Sequence, residues 1–166
     1  MIRDAVSSDF AAILELNESF VHFLSPLDLD GLAALGEAAG YFRIVEIDGE
    51  VVAFLIAFLP DTAYQSENYG WFDKRFDDFA YIDRIVVSTQ AQGQALGTKL
   101  YDDLAIYVLD LGLKQIVCEY YIEPMNSGSA KFHARYGFEE IGQQTLSESK
   151  KRVSLQAYPV AAQPKN

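Results

Sequence analysis

Ile82-Asp83-Arg84-Ile85-Val86-Val87-Ser88-Thr89-Gln90-Ala91-Gln92-Gly93-Gln94-Ala95-Leu96-Gly97 is the stretch on which the reading of this chain turns. Its first half is apolar and β-branched, which suits a strand. Its second half is a turn of small residues. Beyond it Leu96, Leu100, Leu104, Val108 and Leu111 recur at helical spacing, with Gly112 placed to cap the helix. A strand that passes through such a turn into a helix can hold an anion. The first helical N–H groups lack intrahelical partners, the macrodipole favours negative charge, and small side chains let a phosphate approach the backbone. No Gly-Lys-Ser/Thr follows, so this is not a P-loop. The glycines also lack the dinucleotide spacing, and no βαβ unit surrounds them. On spacing alone, a tight connection whose glycines only allow close packing fits equally well.

On the N-terminal side, Ile2 to Val6 reads as a short strand. Phe10, Ile13, Leu14, Phe20, Val21 and Leu24 then form a helical face. Ser25-Pro26-Leu27-Asp28 has the pattern of a capping box with proline at the first helical position. It predicts a second helix carrying Leu29, Leu32 and Leu35 and ending near Gly40. Tyr41–Ile47 and Val51–Leu59 flank Asp48-Gly49, a strong hairpin signal because a type I′ turn needs positive φ at both central positions. Residues 60–78 lose periodicity and are expected to form the longest loop. Phe79–Val87 is a strand. On the C-terminal side, Lys114–Ile122 reads as a strand, Ser127–Tyr136 as a short helix, and Phe138–Leu146 and Val153–Tyr158 as the last strands. The expected class is α/β, or α+β by stricter bookkeeping, with helices on both faces of a central mixed, mostly antiparallel sheet. Residues 1–158 read as a single domain and 159–166 as a frayed tail.

With 166 residues, half of them hydrophobic, the chain is long enough to bury its own core without disulfides or metal. Lys and Arg total 13 against 24 Asp and Glu, a formal net charge of −11. That surface repels phosphate backbones, which argues against nucleic acid, and it steers cations inward. No apolar run reaches the roughly 18 residues of a membrane span. The single cysteine, Cys118, sits in an apolar run and reads as a small buried residue. His22 and His133 are far apart and lack partners at ligand spacing, so no metal is expected. The N-terminus carries no apolar signal segment, which suggests a cytoplasmic location.

The quoted stretch resembles the acyl-CoA-binding motif of the GCN5-related N-acetyltransferases, Arg/Gln-x-x-Gly-x-Gly/Ala. Two frames fit, Gln90 to Ala95 and Gln92 to Gly97. The second puts Leu96 and Leu100 on the core face of the helix, and it sets Ala95 where the family usually has its first motif glycine. Further on, Asn126-Ser127-Gly128-Ser129-Ala130-Lys131-Phe132-His133-Ala134-Arg135-Tyr136-Gly137-Phe138 resembles the family's second motif, in the family's order and at a familiar separation. The resemblance covers about residues 1–156. It implies the acyl-CoA N-acyltransferase fold, with the Tyr81 and Lys114 strands parting to admit a thioester. It also implies that Gln92, Gly93, Gln94, Ala95, Leu96, Gly97 and Thr98 contact the pyrophosphate of coenzyme A, and that the backbone of Ile85, Val86 and Val87 pairs with the pantetheine arm. Asn126, Ser129 and Phe132 would complete the cofactor site. Leu16-Asn17-Glu18, Leu24-Ser25-Pro26-Leu27, Asn68-Tyr69-Gly70-Trp71-Phe72, Tyr81 to Val87 and Cys118-Glu119 narrow the likeness to a subgroup of predicted bacterial acetyltransferases.

Acetyl transfer from a thioester to an amine needs a proton acceptor for the amine and a proton donor for the leaving thiolate. The family often uses a tyrosine in the second motif as the donor. Here His133 stands at that position, and Tyr136 is the weaker alternative; a packing histidine on a short amphipathic helix is the other reading. Strand parity places Tyr81, Asp83, Ile85 and Val87 on one face and Arg84 on the other. Val117, Glu119 and Tyr121 share a face of the next strand. Carboxylates among apolar strands are costly unless paired, so Asp83 and Glu119 are the candidate bases or amine-orienting groups. Either could instead be half of an ion pair, with Arg84 or Arg135. Tyr81, Asn68, Tyr69, Trp71 and Phe72 offer flat surface that could wall a small-molecule pocket or seal a homodimer.

The resulting expectation is an acetyl-CoA-dependent N-acetyltransferase acting on a primary amine of a small molecule by direct attack in a ternary complex. Two rivals stand beside it. One is a coenzyme A-binding regulatory or interaction domain without turnover. The other is a protein N-terminal acetyltransferase, which needs an open groove that a long 60–78 loop would close.

Overall fold

The computed structural model describes residues 1–21 and 24–160; His22 and the end of the expected tail lie outside it. Seven strands form one mixed sheet: β1 (Ile2–Asp4), β2 (Tyr41–Ile47), β3 (Glu50–Phe58), β4 (Phe79–Val87), β5 (Gln115–Glu123), β6 (Glu139–Thr145) and β7 (Arg152–Pro159), in the order β1-β2-β3-β4-β5-β7-β6. Five α-helices accompany them: α1 (Phe10–Glu18), α2 (Leu29–Ala38), α3 (Glu67–Asp73), α4 (Leu96–Asp110) and α5 (Ser127–Tyr136). The β4–β5 ladder is parallel and runs over Phe79–Tyr81 and Gln115–Val117; the β1–β2, β2–β3, β5–β7 and β6–β7 ladders are antiparallel. Contacts gather the chain into two compact units, Met1–Tyr64 with Ile82–Leu104, and Gln65–Tyr81 with Ala105–Asn166.

In the first unit, β2 and β3 meet at Asp48 (φ 52°) and Gly49 (φ 82°), the pair of positive φ values that a type I′ turn demands. Ala53 through Phe58 are fully buried on both faces of β3, as a central strand requires. Burying each large apolar side chain there stabilises the fold by about 1.5–3 kcal/mol. Helix α2 starts three residues later than its sequence pattern suggests. Asp28 is the N-cap, accepting the Gly31 N–H at 2.7 Å, and Pro26 lies outside the helix. Ser25 is engaged elsewhere: its carbonyl and hydroxyl each accept an N–H of the Arg84 guanidinium.

In the second unit the expected loop at 60–78 contains α3. Ser66 caps it by accepting the Tyr69 N–H at 3.0 Å. Tyr69 and Phe72 are buried and pack their rings on Tyr81. Trp71 covers β6 where Gly142 lies; a Cβ at that glycine would come within 2.7 Å of the indole. Pro159 ends β7, and buried Val160 donates its N–H to Lys114 O.

Candidate functional site

Strand β4 leads into the turn as expected. Arg84 and Val86 are buried, while Asp83, Ile85 and Val87 alternate with them on the more open face. A short 3-10 helix, Thr89–Ala91, follows. Gln92, Gly93, Gln94 and Ala95 are then exposed, and Leu96 drops back into the core. The α4 ladder opens with the Lys99 N–H donating to Ala95 O at 3.0 Å, so the N–H groups of Leu96, Gly97 and Thr98 precede it and have no intrahelical acceptor. Gly93 has φ 89°, and a Cβ there would meet nothing within 4 Å. Open space over exposed backbone at a helix N-terminus fits a pyrophosphate, which needs N–H donors and room rather than basic side chains. Ala95, in the glycine position of the motif, also has positive φ, 57°.

Asp83 belongs to a cluster that draws together three separate sequence segments of the first unit. Its Oδ1 accepts the Tyr64 hydroxyl at 2.5 Å and its Oδ2 accepts Arg84 Nε at 2.7 Å. Arg84 also donates to Asn17 Oδ1 at 2.9 Å, and Asn17 Nδ2 donates to Ser25 O. Asn17 is 1% exposed and Arg84 8%. The ion pair between Asp83 and Arg84, one of the two readings of Asp83, is therefore present. Opposite strand faces did not prevent it, because an arginine is long enough to fold back beside its neighbour.

In the second unit Glu119 Oε1 accepts the Tyr81 hydroxyl at 2.9 Å, and Oε2 is shielded from solvent. Tyr121 shares that face, and its phenol is pushed up by burial and by the Glu119 charge. Burial, with Glu119 beside it, also pushes the Cys118 thiol up, so this cysteine stays protonated and inert. Asn68 Oδ1 accepts Gln144 Nε2 at 3.0 Å, and Trp71 is stacked by Arg75 at 3.7 Å. Tyr69 and Phe72, expected to offer open surface, instead pack in the core behind Tyr81.

Helix α5 begins with Asn126, whose side chain accepts the Ser129 N–H at 3.2 Å. Phe132 and Phe138 meet the His133 ring edge-on, and Tyr120 lies tilted against it. His133 is 5% exposed, and its Nδ1 lies 2.8 Å from the Ser129 carbonyl. Nδ1 also lies 3.2 Å from the Ser129 hydroxyl, which can donate to it or accept from it. Burial lowers the imidazole pKa, the Ser129 carbonyl opposing it. Burial works against the expected role of His133 as proton donor to the extent that the role needs an imidazolium, the form that burial disfavours. Nothing in the sequence marks Tyr64, Asn17 and Ser25 as partners of Asp83 and Arg84: Asn17 and Ser25 enter the subgroup likeness, and Ser25 reads otherwise as a helix cap.

The model of the acetyltransferase (GNAT) family matches residues 8–138. No curated protein matches the sequence significantly. Among solved structures, Ard1 from Thermoplasma volcanium superposes with a TM-score of 0.79 at 14% identity, covering 98% of each chain. YncA from Salmonella typhimurium, solved with its cofactor acetyl-CoA, gives 0.74 at 22% identity over 100% of this chain and 96% of its own. The ribosomal-protein-S18-alanine N-acetyltransferase from Escherichia coli gives 0.72 at 17% identity over 100% and 97%. Both motifs fall inside the matched residues, on an acyl-CoA N-acyltransferase fold: the chain belongs to the GNAT family, an N-acetyltransferase that uses acetyl-CoA.

Proposed function

We propose that the chain acetylates a primary amine of a small molecule, by direct attack within a ternary complex, and that Glu119 receives the proton the amine loses. Bound acetyl-CoA supplies an acetyl group already activated as a thioester. Gln92 to Thr98 would hold its pyrophosphate through N–H donors and the backbone of Ile85–Val87 its pantetheine arm; the family likeness also counts Asn126, Ser129 and Phe132 among the cofactor residues. Glu119 is favoured as base over Asp83 because both Asp83 oxygens already accept strong donors, Tyr64 and Arg84. Asp83, paired with Arg84, holds the β4 cluster together, and the net charge of −11 favours a cationic acceptor.

One observation carries the small-molecule reading: the β6–β7 hairpin is latched to α3. Ser147 donates both its N–H and its hydroxyl to the Glu67 carboxylate, at 3.0 and 2.8 Å. Gln144 reaches Asn68, and Trp71 lies over Gly142. A hairpin fixed to its own helix is a poor clamp for an incoming peptide and a good wall for a compact ligand. Ard1 and the ribosomal-protein acetyltransferase share the fold, and a shared fold at such identities does not carry a substrate with it. The test is thiol release from acetyl-CoA with amino acids, polyamines and aminoglycosides in one set and peptides with unmodified N-termini in the other. Turnover confined to the first set supports the proposal; turnover confined to peptides overturns it.

A further inference from the structure

Glu140, Ser154, Gln156 and Tyr120 form a hydrogen-bonded chain across β6, β7 and β5, within the second unit. Ser154 and Gln156 are buried, and the chemistry of the groups fixes the direction of the chain. A carboxylate only accepts, so the Ser154 hydroxyl gives its one proton to Glu140, at 2.5 Å. The Ser154 oxygen is left to accept, and the Gln156 amide nitrogen donates to it at 2.6 Å. The same nitrogen donates its second hydrogen to the Tyr120 oxygen at 3.1 Å. Tyr120 therefore receives a hydrogen bond and keeps its own proton, for which the described residues hold no acceptor. The place of this phenol matters as well. The β4–β5 ladder ends at Tyr81 and Val117, while the β5–β7 ladder continues to Glu123. Glu119 and Tyr120 lie just beyond the end of the β4 ladder, and successive side chains of a strand point to opposite faces. Glu119 turns to the face of Tyr81, and Tyr120 to the face of Gln156 and α5. His133, where the family likeness sets the proton donor, packs its ring against Tyr120, with centroids 5.6 Å apart. The histidine is buried; Tyr120 is only half-buried.

We infer that Tyr120, rather than His133 at the motif position, gives the leaving thiolate its proton. This rests on the proposed direct attack, whatever the acceptor. As the amine nitrogen bonds to the carbonyl carbon, the C–S bond breaks and its electron pair stays with sulfur. Glu119 holds the proton from the amine, on one face of β5. Tyr120 transfers its proton to the sulfur on the other face, and the Gln156 N–H stays with the phenolate oxygen. Solvent then takes the proton from Glu119 and returns one to Tyr120, so amine and thioester have become amide and thiol. A base and an acid on opposite faces of one strand suit a direct attack, because nucleophile and leaving group then meet separate proton-transfer groups.

The test has two readouts on the full chain. Calorimetric titration compares coenzyme A with desulfo-coenzyme A, which lacks only the sulfur, for wild type, Tyr120→Phe and Gln156→Met. Wild type should prefer coenzyme A, and Tyr120→Phe should lose about two- to tenfold of that preference, the worth of one hydrogen bond. Thiol release from acetyl-CoA is then followed with whichever acceptor wild type turns over, small amine or peptide. The kcat should fall at least ~100-fold in Tyr120→Phe, and less in Gln156→Met, which keeps the phenol. Equal affinity of wild type for the two ligands would overturn the inference. So would an unchanged preference for the sulfur in Tyr120→Phe, or an unchanged kcat with only a lowered unfolding midpoint, because the hydrogen-bonded chain would then serve the fold alone. Turnover of peptides alone overturns the small-molecule reading, and the same variants still decide the role of Tyr120. No turnover of any acceptor by wild type would overturn the proposed function together with the inference.

Discussion

Tyr81 and Glu119 meet across β4 and β5, hydroxyl to carboxylate at 2.9 Å, with Tyr81 in the last pair of the parallel ladder, opposite Val117, and Glu119 two residues further along β5. A base must lie within hydrogen-bond reach of the proton it takes, and it needs a partner that keeps it in place. With Glu119 as the proposed base, Tyr81 is that partner. Glu119→Gln should therefore lower kcat at least ~100-fold while leaving coenzyme A affinity unchanged. Steady-state thiol release and calorimetry would read the two effects separately.

Arg84 ties β4 to the end of α1 and to Ser25. Arg84→Met removes a buried cation and leaves the Asp83 carboxylate without its charged partner. Breaking one side of a buried pair costs about 3–5 kcal/mol. Urea unfolding should show a lower midpoint and an unfolding free energy reduced by that amount. Arg84→Lys should recover only part of the loss, because an ammonium cannot reach Asp83, Asn17 and Ser25 together with the planar fork of a guanidinium.

Gly142 lies under the Trp71 indole. Gly142→Ala places a methyl group 2.7 Å from a ring carbon, so either α3 or β6 must shift. The expected cost is about 1–3 kcal/mol, read by denaturant unfolding. The latch that walls the acceptor in the proposed reading would loosen at the same point, so on that reading KM for the amine should rise more than KM for acetyl-CoA.

His133 gives the stability a pH dependence. Burial depresses its folded pKa below the ordinary 6.5. Below that pH the unfolded chain binds a proton that the folded chain resists. Its contribution is therefore fully present above pH 6.5 and is lost as the pH falls toward the folded pKa, with a slope of up to about 1.4 kcal/mol per pH unit. The unfolding free energy of wild type should fall more steeply below pH 6.5 than that of His133→Phe. Parallel curves for the two proteins would show that the ring is not buried as a neutral group.

Much of this was legible in the chain. The Asp48-Gly49 turn, the β4 limits at Phe79 and Val87, the α5 limits at Ser127 and Tyr136 and the helical run from Leu96 all follow from local chemistry, and the structure places them as expected. What local chemistry could not decide was competition. Ser25-Pro26 has a better capping pattern than Asp28, yet Ser25 is held by Arg84, 59 residues away, and the cap moves to Asp28. Helix α3 hid in an aperiodic stretch because it is short and its aromatic residues lack a clear apolar stripe; packing of Tyr69 and Phe72 on Tyr81 stabilises it. His133 reads as a donor from its position in a motif. Only the structure shows that the ring is buried, with Nδ1 turned to Ser129 one helical turn back.

The most direct test of the account is thiol release from acetyl-CoA by the full chain, with wild type and Glu119→Gln run in parallel against small amines and against peptides. The account predicts turnover of a small cationic amine by wild type and its loss in Glu119→Gln, with coenzyme A bound equally by both. Turnover of peptides alone, or of a small amine at the same rate by both proteins, would contradict it.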